Sequence, residues 1–502
     1  MTGSTSPLPA AEAYSGSCTA NRNLFLVFAV LTLAHVAMKI WWGIDIVAIK
    51  PAGDEGAYID SAKALSNLVR DLLRFSPPDT VELSRNVVGN GWFMPGMAIL
   101  LAPVYLVFPG AEITLVRTYL AIVSFLMWIW AVNSARIHLG NRYALALMIF
   151  PSLVPLWILF SFSAWGDLYA GLLLVVLMCH VSTLLICFQR RVPIRVSQGI
   201  AIGALAAGCL YLRSSTLPLI PLLLMILLLG AALFSGIREW RRPLICISAA
   251  ALSFICLLLP WSISASKTLG ARILTTTTVP ISLGVAFGNQ EELCFGPCGK
   301  GNIWFNSVRY SKVLASTTGV DEVSVQKGMS RYATRDVTPK TYSAKVIENF
   351  GRYAFSPGSF RNRFFPDKKG EAGGAYASKR QLLFKATAYP YYLFMLFMVL
   401  AWVTVKTRTV TEQVNSILIK CFSACLLLQP FFHIGSGRYW TVFAPIFALS
   451  LGLLLTPSAK AVAASTHPSQ THLQLRTLSF VQAAFVVGIV AIVAALFLFA
   501  RG

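Results

Sequence analysis

Leu168-Tyr-Ala-Gly-Leu-Leu-Leu-Val-Val-Leu-Met-Cys-His-Val-Ser-Thr-Leu-Leu-Ile-Cys-Phe188 contains no Asp, Glu, Lys or Arg. Gly166-Asp167 precedes it and Gln189-Arg190-Arg191 follows it. A helix of roughly 20 residues is about 30 Å long, which matches the hydrocarbon core of a bilayer. The run therefore reads as a membrane helix with an acid at one surface and arginines at the other.

Comparable apolar segments recur at 23–40, 92–109, 113–135, 143–164, 198–212, 215–235, 243–262, 386–405, 416–433, 438–456 and 477–499. The 502 residues are 56% hydrophobic and 12% charged, where a soluble domain carries about 25% charge. Lipid admits only helices and closed barrels, because every backbone polar group must find an internal partner. The short alternating segments of a barrel are absent. The expectation is an all-α polytopic membrane protein, and no period of 20–50 residues suggests a repeat array.

Two long polar stretches, 41–91 and 263–385, interrupt the apolar segments. Residues 1–22 read as a disordered tail. The run after Asn23 reads as an uncleaved anchor, because no Ala-x-Ala site follows it. The map is then 1–22 tail, 23–262 N-terminal transmembrane module, 263–385 loop domain and 386–502 C-terminal helices.

Short basic loops mark the cytoplasmic side. These are Arg190 to Arg195, Arg238 to Arg242, and Lys406 with Arg408. Their parity places 41–91, Gly166-Asp167 and 263–385 outside, with the N-terminus inside. About eleven crossings result if one early segment does not cross. Segment 92–109, with Pro95, Pro103 and Pro109, is the first candidate for a re-entrant or interfacial helix; 143–164, with Pro151 and Pro155, is the alternative. After Tyr58, apolar residues at helical spacing predict an amphipathic helix in the interface plane.

The net charge of +22 is read as positive-inside loops and snorkelling ends, with some cations facing lipid phosphates. Basic residues are dispersed, which argues against nucleic acid as a partner. Most of the ten cysteines lie in apolar runs and read as small hydrophobes. Cys294 and Cys298 sit in a polar loop, where a local disulfide is expected outside the cytoplasm.

The candidate chemistry gathers on the outer side. Asp54 and Glu55 precede the amphipathic helix and serve either as helix-terminal acids or as a general base with a second acid. Asp167 is either an N-cap or a partner of that base. Arg438 and Tyr439 open a late apolar helix; the arginine either snorkels or grips a phosphate with its planar fork. Arg213, and more weakly Lys267, are further outward cations near a leaving phosphate. His433 lies beside them in sequence. Asp54 and Glu55 could also hold a divalent ion, though no ligand cluster compels one. No phosphate-binding nucleotide loop is present.

These motifs, taken in order, resemble the polytopic GT-C glycosyltransferases that use polyprenyl-phosphate sugars. That group includes protein O-mannosyltransferases and the aminoarabinose transferase of lipid A modification. The resemblance rests on Asp54-Glu55 with Tyr58, Asn90 to Ala98, Arg117, Gly166-Asp-Leu-Tyr169, Leu212 to Leu217, Pro260-Trp261, Thr275 to Gly284, Gly288-Asn289 and Gly435 to Pro445. Coverage runs from about residue 24 to 456. Two positions depart from the pattern: Ser262-Ile-Ser-Ala265 follows Pro-Trp in place of Arg-Asn, and Met94-Pro95 stands for Pro-Pro.

The resemblance implies an inverting sugar transfer from a polyprenyl-phosphate donor to a glycan, lipid or protein acceptor outside the cytoplasm, in a bacterial inner membrane. Asp54 or Glu55 is the implied base, assisted by Asp167. Arg438, Tyr439, Arg213, Lys267 and His433 are the implied donor side, and Tyr58 and Asn289 the acceptor side. The alternative reading is a lipid or solute transporter or flippase. In a third, loop 263–385 binds a partner in an assembly role; its aromatics otherwise form a small core.

Overall fold

The computed structural model describes residues 18–51, 53–235, 240–365, 375–404, 409–455 and 468–501. Arg238, Lys406, Arg408 and residues 1–17 of the expected tail lie outside the described residues. The remainder of that tail is a correction: helix begins at Cys18.

Every regular element among the described residues is helical. The first group is α1 (Cys18–Ile46), α2 (Asp54–Leu73), α3 (Thr80–Leu83), α4 (Gly96–Val107), α5 (Ile113–His138), α6 (Asn141–Ile149) and α7 (Pro155–Phe160). There follow α8 (Gly166–Arg190), α9 (Val196–Leu212), α10 (Leu219–Phe234) and α11 (Arg241–Leu269). The expected loop domain contains α12 (Thr278–Phe287), α13 (Ile303–Thr318), α14 (Glu322–Ala333), α15 (Pro339–Ala354) and α16 (Arg361–Phe364). The chain ends with α17 (Ala375–Val403), α18 (Val410–Leu426), α19 (Trp440–Leu454) and α20 (Pro468–Arg501).

Eight helical stretches, in α1, α5, α8, α10, α11, α17, α18 and α20, are long and apolar enough to cross a bilayer. This is an integral membrane protein of helical class. Eight is fewer than the eleven crossings expected. Two apolar helices, α9 and α19, have 17 and 15 residues. Segment 143–164 is divided into α6 and α7 around Pro151 and Pro155, since proline cannot supply the backbone N–H that continues a helix. Segment 92–109 contributes the 12 residues of α4, which lie along α2. The loop domain is also shorter than 263–385, because α11 runs on to Leu269 and α17 starts at Ala375.

Burial follows composition. The opening sequence stretch is apolar all round and forms α8, which sits inside the bundle against α5, α9, α10, α18 and α19. Gly171 lets α19 come close; a Cβ there would meet the Val442 carbonyl oxygen at 2.6 Å.

α2 is amphipathic as expected. Its buried face, Ile59, Ala62 and Ala64 included, is covered by α4, while Leu73 and Phe75 at its far end are exposed. In the loop domain, α12 to α14 enclose a separate core of Ile281, Val285, Val308, Val325 and Met329, capped by Trp92. Cys294 and Cys298 are joined there as a disulfide. Of the expected loop aromatics, Tyr353 and Phe365 are buried, whereas Tyr332 and Phe355 are exposed.

Candidate active site

Four helix ends converge: the starts of α2, α8 and α19 and the finish of α9. Each brings one charged residue. α2 begins at Asp54 itself, after Gly53 at φ 58°. Asp54 and Glu55 occupy its first turn without making a capping bond. The position still suits an acid, since the helix N-terminus carries partial positive charge. α8 begins at Gly166, so Asp167 lies in its first turn and is not the N-cap. Arg213 ends α9, with its Nε donating to Ser215 Oγ at 3.1 Å.

Arg438 belongs to the segment leading into α19. That segment is fixed by α15: the Gly435 N–H donates to Asn349 Oδ1 at 3.2 Å, and Asn349 Nδ2 donates to the Pro430 carbonyl at 3.4 Å. Trp440 Nε1 donates to the Pro357 carbonyl at 3.1 Å.

The four charges form one chain. Arg438 Nη2 lies 2.9 Å from Asp54 Oδ2. Arg438 Nε lies 3.7 Å from Asp167 Oδ2. Arg213 Nη1 lies 2.8 Å from Asp167 Oδ1. Asp167 is 1% exposed, but the Asp54 side chain keeps 27% exposure. Buried ions need compensating partners, and Asp167 has two guanidiniums.

Aromatic rings wall the chain. Arg213 Cζ stands 4.2 Å from the Tyr439 ring centroid. Arg438 Cζ stands 5.2 Å from the same ring and 5.5 Å from that of Trp165. Such cation–π contacts leave guanidinium edges available for hydrogen bonding. Tyr58, one turn after Asp54, packs its ring 5.0 Å from Phe93. Burial and then the Asp54 charge push its hydroxyl well above its ordinary pKa, with Arg438 and Arg213 opposing. Tyr58 therefore stays neutral.

His433 stacks on Trp304 of α13 at 5.6 Å and meets Tyr439 edge-on at 5.7 Å. Its Nδ1 donates to the Ile434 carbonyl at 3.0 Å, which makes Nε2 an acceptor. Burial, helped by the nearby charges of Arg213 and Arg438, pulls its pKa down to about 4. His433 is neutral near pH 7.

The remaining candidates lie elsewhere. Successive helical residues point about 100° apart, so Glu55 turns away from Asp54. It is 2% exposed. Arg117 clamps both of its oxygens at 3.2 and 3.4 Å, and the Ala164 N–H donates to it at 3.0 Å. Arg363 of α16 approaches within 3.9 Å. Arg117 also donates to the Ile49 and Phe162 carbonyls. Glu55 is thus a tie between α2, α5 and the loop before α8. Lys267 is exposed near the end of α11 and makes no ion pair among the described residues. Asn289 caps a short turn, accepting from the Glu291 N–H at 3.1 Å, and is also exposed.

Trp165 was not among the sequence candidates, though an aromatic directly before Gly-Asp at a helix start was a usable signal. Trp304 came from a distant helix and had none. No group of three or more His, Cys, Asp or Glu that could hold a metal occurs among the described residues. Of the two acids expected to be able to share a divalent ion, Asp54 faces Arg438 and Glu55 faces Arg117, so the two carboxylates do not meet at one point.

No family model matches the sequence, and no curated protein matches it. Among solved structures, the chain is similar to the archaeal oligosaccharyltransferase AglB from Archaeoglobus fulgidus, in complex with an inhibitory peptide and a dolichol-phosphate. The TM-score is 0.45 and the identity 13%, over 96% of this chain and 56% of that one. It is also similar to ArnT from Cupriavidus metallidurans bound to undecaprenyl phosphate, with TM-score 0.34 and 12% identity over 87% of this chain and 77% of that one. The apo state of ArnT gives a TM-score of 0.31 at the same identity and coverage.

Proposed function

We propose that this protein transfers a sugar from a polyprenyl-phosphate-linked donor to an acceptor at the outer face of the membrane. The observation that carries the reading is the chain Asp54–Arg438–Asp167–Arg213, at the junction of α2, α8, α9 and α19. Transfer from a phosphate-activated lipid needs a carboxylate for the acceptor proton and cations for the departing phosphate.

Asp54 is the base, because it is the more exposed acid. It takes the proton of an acceptor hydroxyl as that oxygen bonds to the anomeric carbon. The bond from that carbon to the phosphate oxygen breaks on the opposite side, and the electron pair leaves with the lipid phosphate. Arg438 and Arg213 hold that phosphate. Asp167 positions both arginines, and Tyr439 and Trp165 keep their planes aligned.

A carbon-lined groove of about 470 Å³ runs between α10 and α11, bordered by Leu217, Pro218, Ile220, Phe254, Leu258 and Ser262. Leu217 is only one helical turn beyond Arg213. The groove suits the isoprenoid tail of a donor whose phosphate rests on Arg213.

The test is sugar transfer from a polyprenyl-phosphate donor by the purified protein. Asp54→Asn should lower kcat by roughly 10²- to 10⁴-fold, the usual worth of a positioned base, without loss of cooperative unfolding. Full activity in Asp54→Asn sinks the assignment. Passage of lipid or solute across reconstituted vesicles with no new covalent product supports the transporter reading instead.

A further inference from the structure

The proposed reaction needs an Asp54 carboxylate open to the acceptor and an Arg438 guanidinium open to phosphate. In this structure each holds the other. Arg438 Nη2 donates to Asp54 Oδ2 at 2.9 Å, joining positions 384 residues apart. We propose that this pair is a latch opened by the donor: the lipid phosphate takes the Arg438 guanidinium, and Asp54 is thereby released to act as base. The inference rests on the donor reading above and adds its order of events.

The inequality of the two acids supports the latch. Asp167 is almost wholly buried between Arg213 and Arg438, while the Asp54 side chain is 27% exposed. Arg438 can therefore give up Asp54 and remain anchored through Asp167 and the Trp165 and Tyr439 rings. The space beside Asp54 is partly open, since its side chain keeps 27% exposure. The carboxylate has room to swing away.

Charge counting gives the second support. Asp54 and Asp167 balance Arg213 and Arg438 in the closed cluster. An incoming phosphate adds negative charge that no unpaired cation of this chain of four absorbs. Once Arg438 turns to phosphate, Asp54 carries the excess. Taking the acceptor's proton relieves that excess, so donor binding and base activation become one event. Asp54 thus opposes donor binding in the free protein and serves the reaction afterwards.

The experiment is binding of undecaprenyl phosphate to the full-length protein in nanodiscs. Asp54→Asn should bind roughly 10- to 150-fold tighter than the wild type, the equivalent of losing one competing charge-assisted bond. Asp54→Glu, which keeps the charge, should stay near the wild-type affinity, and Arg438→Ala should bind more weakly. Thermal unfolding with and without the lipid should show that Asp54→Asn melts cooperatively and gains more from ligand than the wild type. Equal or weaker binding by Asp54→Asn overturns the latch, as does Asp54→Glu behaving like Asp54→Asn. Wild-type protein that binds no undecaprenyl phosphate overturns the donor reading together with the latch. Tighter binding by an Asp54→Asn variant that still transfers sugar removes the base assignment but leaves the competition with phosphate standing.

Discussion

Asp54 and Glu55 are adjacent in the chain and have opposite surroundings. Asp54 meets Arg438 at a partly exposed position, whereas Glu55 is shut between Arg117, the Ala164 N–H and Arg363. Glu55→Ala leaves Arg117 buried without its carboxylate, which should cost about 3–5 kcal/mol of stability. The loss is read from thermal unfolding in detergent; an unchanged melting temperature refutes the tie. His433 gives a pH test. Burial first, then Arg213 and Arg438, lower its pKa from 6.5 to about 4. The unfolded chain therefore binds this proton at higher pH than the folded one, and the imidazole works against folding as acid is added. Stability should fall as pH drops from 6.5 toward 4, and His433→Gln should flatten that part of the melting curve. The acids and Arg438 were legible because charge at the edge of an apolar run is conspicuous. Which acid faces which cation was not, because the answer depends on partners at positions 117 and 438, far away in the chain.

Helix ends rather than helix interiors shape the candidate site. Gly166 starts α8 directly against α9, where a Cβ would collide with the Leu212 carbonyl oxygen. That approach sets Asp167 beside Arg213, the residue after Leu212. Gly166→Ala should push the two helices apart, lower stability by about 1–3 kcal/mol through overpacking, and reduce transfer more than the stability loss explains. Activity per folded molecule, measured beside thermal unfolding, checks this; normal activity refutes the positioning role. Apolar length was the readable signal at this scale, and it located nearly every long helix. It failed where two prolines divide 143–164 into α6 and α7, and where polar residues extend a helix beyond its apolar part, as at Ser264 to Lys267 in α11. Proline chemistry decides the first boundary and helix packing the second, and hydropathy reports neither.

At the level of the whole molecule, one central helix carries acid and base at opposite ends. α8 carries Asp167 in its first turn and Arg190 in its last, and 23 steps of 1.5 Å separate them by about 35 Å. The loop domain joins the acidic end, since Trp304 of α13 reaches His433 and α15 holds the segment before Arg438. Positive loops stay cytoplasmic, so the Asp54–Arg438 cluster and α12 to α16 should face outward. Much of this polarity was legible in the sequence, because arginine-rich turns and acidic turns alternate along it. A cysteine placed at Thr317, exposed near the end of α13, should react with a membrane-impermeant thiol reagent on intact cells. A cysteine placed at Pro193, exposed between α8 and α9, should react only after the membrane is opened. Both are made in a background lacking the free cysteines. Labelling of both positions from one side would put the Asp54–Arg438 cluster and the basic loop on the same face and refute the opposite-face topology.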